Sequence, residues 1–132
     1  MGLDNGIEIK RRADLPALAF TYFDEEYRAK HNYDLEVAYW RKCWNVRRII
    51  IDILNIREDN DSHTTMTIDD VDAVITALRK MNKKNWLVCG STIWDWKEFK
   101  GIQRRNIHNL RRLRHMMRKK PEVFEVYFYD SW

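Results

Sequence analysis

Cysteine is scarce in this chain. Cys43 and Cys89 lie far apart, without CxxC spacing and each among apolar neighbours. A free thiol in such surroundings behaves as a small hydrophobe, so both are expected to be reduced core residues. His31, His63, His108 and His115 lack the i,i+3 or i,i+4 pairing that brings two imidazoles to one metal from one helix. No metal and no cofactor is expected. No run approaches the roughly 18 to 20 apolar residues that cross a bilayer, which excludes a membrane from the expected partners. The start Met-Gly-Leu-Asp-Asn-Gly-Ile-Glu has an acid where a signal peptide has basic residues, and no apolar segment follows. Gly6 occupies the slot where N-myristoylation requires Ser or Thr. A cytoplasmic protein is the expectation. With no internal repeat, linker or low-complexity tract, residues 1–132 read as a single domain.

Apolar residues make up 45% and charged residues 33% of the 132, the balance of a globular chain long enough to bury a core without disulfides or metal. Charge is unevenly spread. Between Lys97 and Lys120 stand ten Lys or Arg against the single Glu98, so against an overall +4 the remainder carries a net −5. Such a segment attracts phosphates, an acidic partner surface, or the chain's own acidic portion.

Leu3, Ile7 and Ile9 alternate with Glu8 and Lys10, which predicts a short strand within residues 2–10. Asp34 is placed to cap a long helix from Leu35 to about Asn55. Thr67-Ile-Asp-Asp forms a capping box, and Val71, Val74, Ile75, Leu78 and Met81 follow at helical spacing, predicting a helix from Ile68 to about Asn82. A third helix spans about Lys97 to Lys119, with Phe99, Ile102, Leu110, Leu113 and Met117 on one side and Asn106 among them. Pro121 stops it. In 123–129, Val126 and Phe128 alternate with Glu125, Tyr127 and Tyr129 as a half-buried strand should. The fold class is therefore α+β, three main helices packed on a small sheet that pairs the N- and C-terminal strands.

Placed at 100° per residue on the first predicted helix, Trp40, Cys43, Trp44, Ile50, Ile51 and Leu54 share one side, and Arg47 falls among them. A guanidinium keeps its proton at neutral pH, so it must reach water, pair with an acid, or wait for an anion between indole rings. Trp40, Arg41, Trp44 and Arg47 thus form a candidate anion site. Ser91 and Thr92 after Gly90 offer amide and hydroxyl donors to it, although the spacing and lysine of a P-loop are missing. Trp94, Tyr127 and Tyr129 belong to the aromatic set, with six tryptophans overall, since a flat ring beside a guanidinium holds a planar base and its phosphate together. Bringing the termini together would set Asp4, Tyr127, Tyr129 and Trp132 in a cleft shared with the first helix. On the third helix, Arg104, His108, Arg111, Arg112, His115 and Arg118 project opposite the apolar stripe as a basic surface. No helix-turn-helix, zinc finger or RNP motif accompanies them.

The blocks Met1-Gly2-Leu3-Asp4, Glu36-Val37-Ala38-Tyr39-Trp40-Arg41-Lys42, Gly90-Ser91-Thr92 with Trp94 and Trp96, and Tyr127 with Ser131-Trp132 resemble a family of small proteins encoded by bacteriophages and prophages. Its members typically begin Met-Gly-Leu-Asp-Met-Tyr-Leu, and the family is largely without assigned activity. The resemblance implies a phage origin and a life in the bacterial cytoplasm rather than a reaction. Asn5-Gly6-Ile7 depart from its opening, and Trp44 and Arg47 stand where relatives often carry Asn and His.

No nucleophile with a base, carboxylate pair or metal triad stands at a spacing that catalysis requires. Glu36, Asp52 and Asp95 are candidate acids near the Trp/Arg cluster, and each is as readily an exposed or ion-paired carboxylate. The expected function is non-catalytic capture of a small phosphorylated or nucleotide-like ligand, such as a host-defence messenger. The alternative is a basic inhibitor or adaptor that binds an acidic protein or nucleic acid through the 97–120 helix, and a second copy of the chain is also open as a partner.

Overall fold

Leu3, Asn5, Ile7 and Ile9 are buried while Asp4 and Glu8 between them are half-buried, a two-residue period that makes β1 (Asp4–Ile9). The computed structural model describes residues 3–9, 35–56, 62–85, 95–119 and 125–131. Around β1 they form a four-stranded antiparallel sheet in the order β2 (Leu35–Arg41), β1, β4 (Val126–Ser131), β3 (Ser62–Met66). The N- and C-terminal strands pair as expected, with Ile7 opposite Phe128 and Ile9 opposite Val126. Helices α1 (Trp44–Leu54), α2 (Ile68–Arg79) and α3 (Trp96–Lys119) pack against one face. The architecture is α+β.

The expected helix from Leu35 to Asn55 is corrected to strand β2 followed by the shorter α1. Ile7 faces Ala38 and Glu8 faces Glu36, so Val37 is an extra residue in the ladder. That bulge hides the two-residue period, and the run then mimics helical spacing. Once Val37 is set aside, Ala38 and Trp40 are buried and Tyr39 and Arg41 exposed, as the period requires. Lys42 turns the chain at φ 56° while its N–H donates to Leu3 O at 2.7 Å, which holds the strand end in place. A helix cannot pass through that conformation. The proposed Asp34 cap lies outside the described residues. Asn55 closes α1 at φ 52°, a left-handed position that Asn tolerates.

Helix α2 begins where the capping box places it: Thr67 Oγ1 accepts from the Asp70 N–H at 3.2 Å, and Asp70 Oδ2 accepts from the Thr67 N–H at 2.9 Å. Helix α3 buries Phe99, Gln103, Asn106, Leu110, Leu113, Met116 and Met117. Asn106 and Asn109 are polar on that inner side because they donate to the carbonyls of Tyr39 (2.9 Å) and Val37 (3.2 Å). β2 is an edge strand, and these amides occupy acceptors it would otherwise offer to another chain. Cys43 is a buried thiol whose Sγ–H donates to Arg41 O at 3.4 Å, and Cys89 lies outside the described residues. Among the described residues, no helix is long and apolar enough to cross a membrane.

Candidate functional site

Arg47 is buried on α1 with 3% of its surface exposed, as its place in the apolar seam implies. Its Nε donates to both carboxylate oxygens of Asp130, at 3.0 and 2.9 Å, and Asp130 is 1% exposed. The anion that Arg47 needs is thus supplied by β4. Trp44 keeps 38% of its surface exposed, with its ring centroid 5.6 Å from the Arg47 guanidinium carbon. Trp40, expected beside them on the helix, instead sits on β2 with no exposure and donates from Nε1 to Gln103 Oε1 at 2.8 Å. The expected site of Trp40, Trp44 and Arg47 is therefore an internal junction of β2, α1 and β4. Ser91, Thr92 and Trp94, like Trp132, lie outside the described residues.

Arg41, Tyr127 and Tyr129 fall on the other side of the sheet from Arg47. Strand alternation puts Val126, Phe128 and Asp130 against the helices and Tyr127 and Tyr129 on the opposite face, so among the described residues no cleft joins them to α1. There each tyrosine hydroxyl donates to a carboxylate: Tyr39 to Asp4 (2.5 Å), Tyr127 to Glu8 (2.8 Å) and Tyr129 to Glu36 (2.9 Å). Burial pushes the Glu36 carboxyl up to about 7, the Tyr129 hydroxyl opposes that, and the charges of Glu8 and Asp4 reinforce it. Burial and the adjacent carboxylates also push the Tyr39 and Tyr129 hydroxyls above the ordinary tyrosine range, so they remain donors. Among the described residues, no cluster of His, Cys, Asp or Glu could hold a metal ion.

The basic surface does form as a unit. Arg104, His108, Arg111, Arg112, His115 and Arg118 are all exposed along α3. Where α3 crosses α2, the boundary between this row and the apolar stripe opens into a groove of about 430 Å³. Its apolar lining comes from Leu78, Met81, Phe99 and Ile107, with half-buried Trp96 at one end. Arg79, Lys100, Arg104 and Arg111 supply the cations, with His108 beside them. Trp96 stacks on Phe99 at a centroid distance of 6.0 Å and 27°, which fixes its ring, and the exposed Lys100 places Nζ 5.9 Å from the centroid. Gln103 lines the same groove and is pinned from below by Trp40, so the buried indole positions the groove rather than contacting a ligand.

Beyond His108 and Arg111, which line both spaces, the groove continues as a trough of about 490 Å³ lined otherwise by Arg112, Arg114, His115 and Arg118. Arg114 is held by an ion pair to Asp72 of α2. Among the described residues, no carboxylate forms an ion pair with Arg104, Arg111 or Arg118. Those three guanidinium groups are charged and exposed.

Sequence reasoning found this row but missed Trp96, Lys100, Arg79 and Met81 as its neighbours. A signal was present: Trp96, Lys100, Gln103, Ile107 and Arg111 recur at three- and four-residue steps along the border of the two faces of α3. The contribution of α2 needed the fold.

Compared with known proteins, the chain matches no family model, no curated protein and no solved structure.

Proposed function

We propose that this chain is a non-catalytic binding protein for a small phosphorylated, nucleotide-like molecule, held in the groove between α2 and α3. The observation that carries this reading is the groove itself, where an apolar floor and a fixed indole adjoin four cations within about 430 Å³. That volume falls within the range of small-molecule sites. A planar base is drawn to the indole and apolar floor, while phosphate is drawn to guanidinium groups that lack carboxylate partners among the described residues. Lys100, exposed on a flexible stem, can yield the ring face and turn to the phosphate. The resemblance to phage-encoded proteins supports a setting in the bacterial cytoplasm, where a captured nucleotide would be a host-defence messenger.

A thermal-shift panel of adenine and guanine nucleotides, cyclic ones included, tests the reading. A ligand at a hundred times its Kd stabilises the fold by about 2.7 kcal/mol, a readily measured rise in Tm. Arg104→Glu with Arg111→Glu should abolish the shift, whereas Arg47 should not enter it. The nucleotide should return from the incubation unchanged on chromatography. A flat panel removes the reading, and a new product would make the protein an enzyme.

A second reading, an acidic protein or nucleic acid docked along α3, is favoured by the extension of the exposed cations to Arg118. It predicts steeply salt-sensitive binding that is lost on reversing Arg104, Arg111 and Arg118 and is indifferent to Trp96→Ala.

A further inference from the structure

The two spaces on α3 differ in chemistry although they share His108 and Arg111. The first contains an indole and aliphatic side chains. Among the described residues, the second is lined by arginine and histidine, with no indole, phenyl or aliphatic side chain. From His108 to Arg118 the trough runs roughly 15 Å along the helix at 1.5 Å per residue, farther than one phosphate reaches. Guanidinium groups match phosphate oxygens in pairs, and the ion pair to Asp72 fixes Arg114 in orientation.

Resting on the reading that the groove takes a nucleotide-like ligand, we infer that this ligand is a nucleoside 5′-polyphosphate. Its base occupies the Trp96 end, and its phosphates pass between His108 and Arg111 into the trough. A nucleoside monophosphate leaves the trough empty and brings no phosphate to Arg118. A single-stranded nucleic acid brings a base with every phosphate, and successive bases bind by stacking on aromatic platforms. Among the described residues the trough offers the small imidazoles of His108 and His115 but no indole or phenyl ring. Molecules with one planar head and a dense anionic tail match both halves.

Titrations of the full chain in metal-free buffer with AMP, ATP, inorganic tripolyphosphate and a short oligoadenylate distinguish the possibilities. ATP should bind at least tenfold more tightly than AMP. His115→Gln with Arg118→Gln should shrink that gap severalfold and leave AMP unchanged, because these side chains line only the trough. Trp96→Ala should weaken AMP and ATP alike but not tripolyphosphate. Equal affinity for AMP and ATP would overturn the polyphosphate inference while leaving the nucleotide reading intact. An oligoadenylate that outcompetes ATP would overturn it in favour of nucleic acid. Tripolyphosphate binding as tightly as ATP, or no binding by any probe, would overturn both readings.

Discussion

Arg47 and the arginines of α3 carry the same group in opposite surroundings. Arg47 lies in the interior with its charge matched by Asp130, whereas Arg104, Arg111 and Arg118 face outward with no carboxylate ion-paired to them among the described residues. A buried charge must be neutralised by the fold, or the fold does not form. An exposed one is solvated at little cost and stays available to a ligand. An arginine among apolar residues is thus first a demand for an internal acid, while arginines repeated along a solvated face are the stronger sign of recognition.

The comparison breaks most sharply at Asp130. Removing the acid while keeping the guanidinium strands a buried charge, a change that costs about 3–5 kcal/mol. Asp130→Ala should lower stability by that amount in urea unfolding. Replacing the pair together, Arg47→Met with Asp130→Leu, should be neutral or stabilising, since two desolvated charges give way to apolar packing. A single variant that unfolds like the parent chain would mean that Arg47 reaches water.

That pair also shows where the sequence became opaque. Arg47 was recognisable as misplaced from its position in the seam, but its partner lies 83 residues away on a strand at the far end of the chain. No local pattern encodes such a contact. By contrast, the Thr67–Asp70 capping box and the long amphipathic α3 depend on neighbours within one or two turns, and both were legible. β2 lies between these cases. Its alternation is present but is interrupted by the bulge at Val37, which becomes apparent only once β1 is set beside it. The candidate groove was half legible for the same reason: α3 encodes its own cations, whereas Leu78, Arg79 and Met81 join it only through helix packing.

Glu36 tests a case midway between burial and exposure. Its carboxylate stands directly across from Glu8, accepts from Tyr129, and shares the face with Asp4. The Tyr129 ring lies over Gly6 so closely that a Cβ there would fall 2.7 Å from its Cε1. With its folded value raised from 4.5 to about 7, Glu36 binds a proton more tightly in the native chain than in the unfolded one. Its contribution therefore favours folding at low pH, declines as pH rises from about 4.5 to 7, and is flat above that. Glu36→Gln retains an acceptor for Tyr129 and abolishes the decline. The variant should match the parent near pH 4 and exceed it at pH 8 by about 1 kcal/mol, a value limited by solvent screening of a half-buried group. Stability curves that run parallel across this range would show that the carboxylate ionises as freely as in the unfolded chain.

The smallest expected change probes the outward face of α3 without touching any charge. Gly101 lies exposed within the helix, and a Cβ built there meets no atom within 4 Å. Glycine in a helix interior costs roughly 0.5–1 kcal/mol relative to alanine because it loses more backbone freedom on folding. Gly101→Ala should therefore raise stability by up to that amount in urea unfolding, and nucleotide affinity should stay constant because Gly101 lines neither the groove nor the trough. The sign of the change carries the information. A methyl group added to a solvated helix face can only reduce the freedom of the unfolded chain, whereas one added beneath a covering segment must displace it. Loss of stability would mean that this end of α3 is covered, and the contrast between a filled interior and an open cationic face would then begin beyond the first turn of the helix.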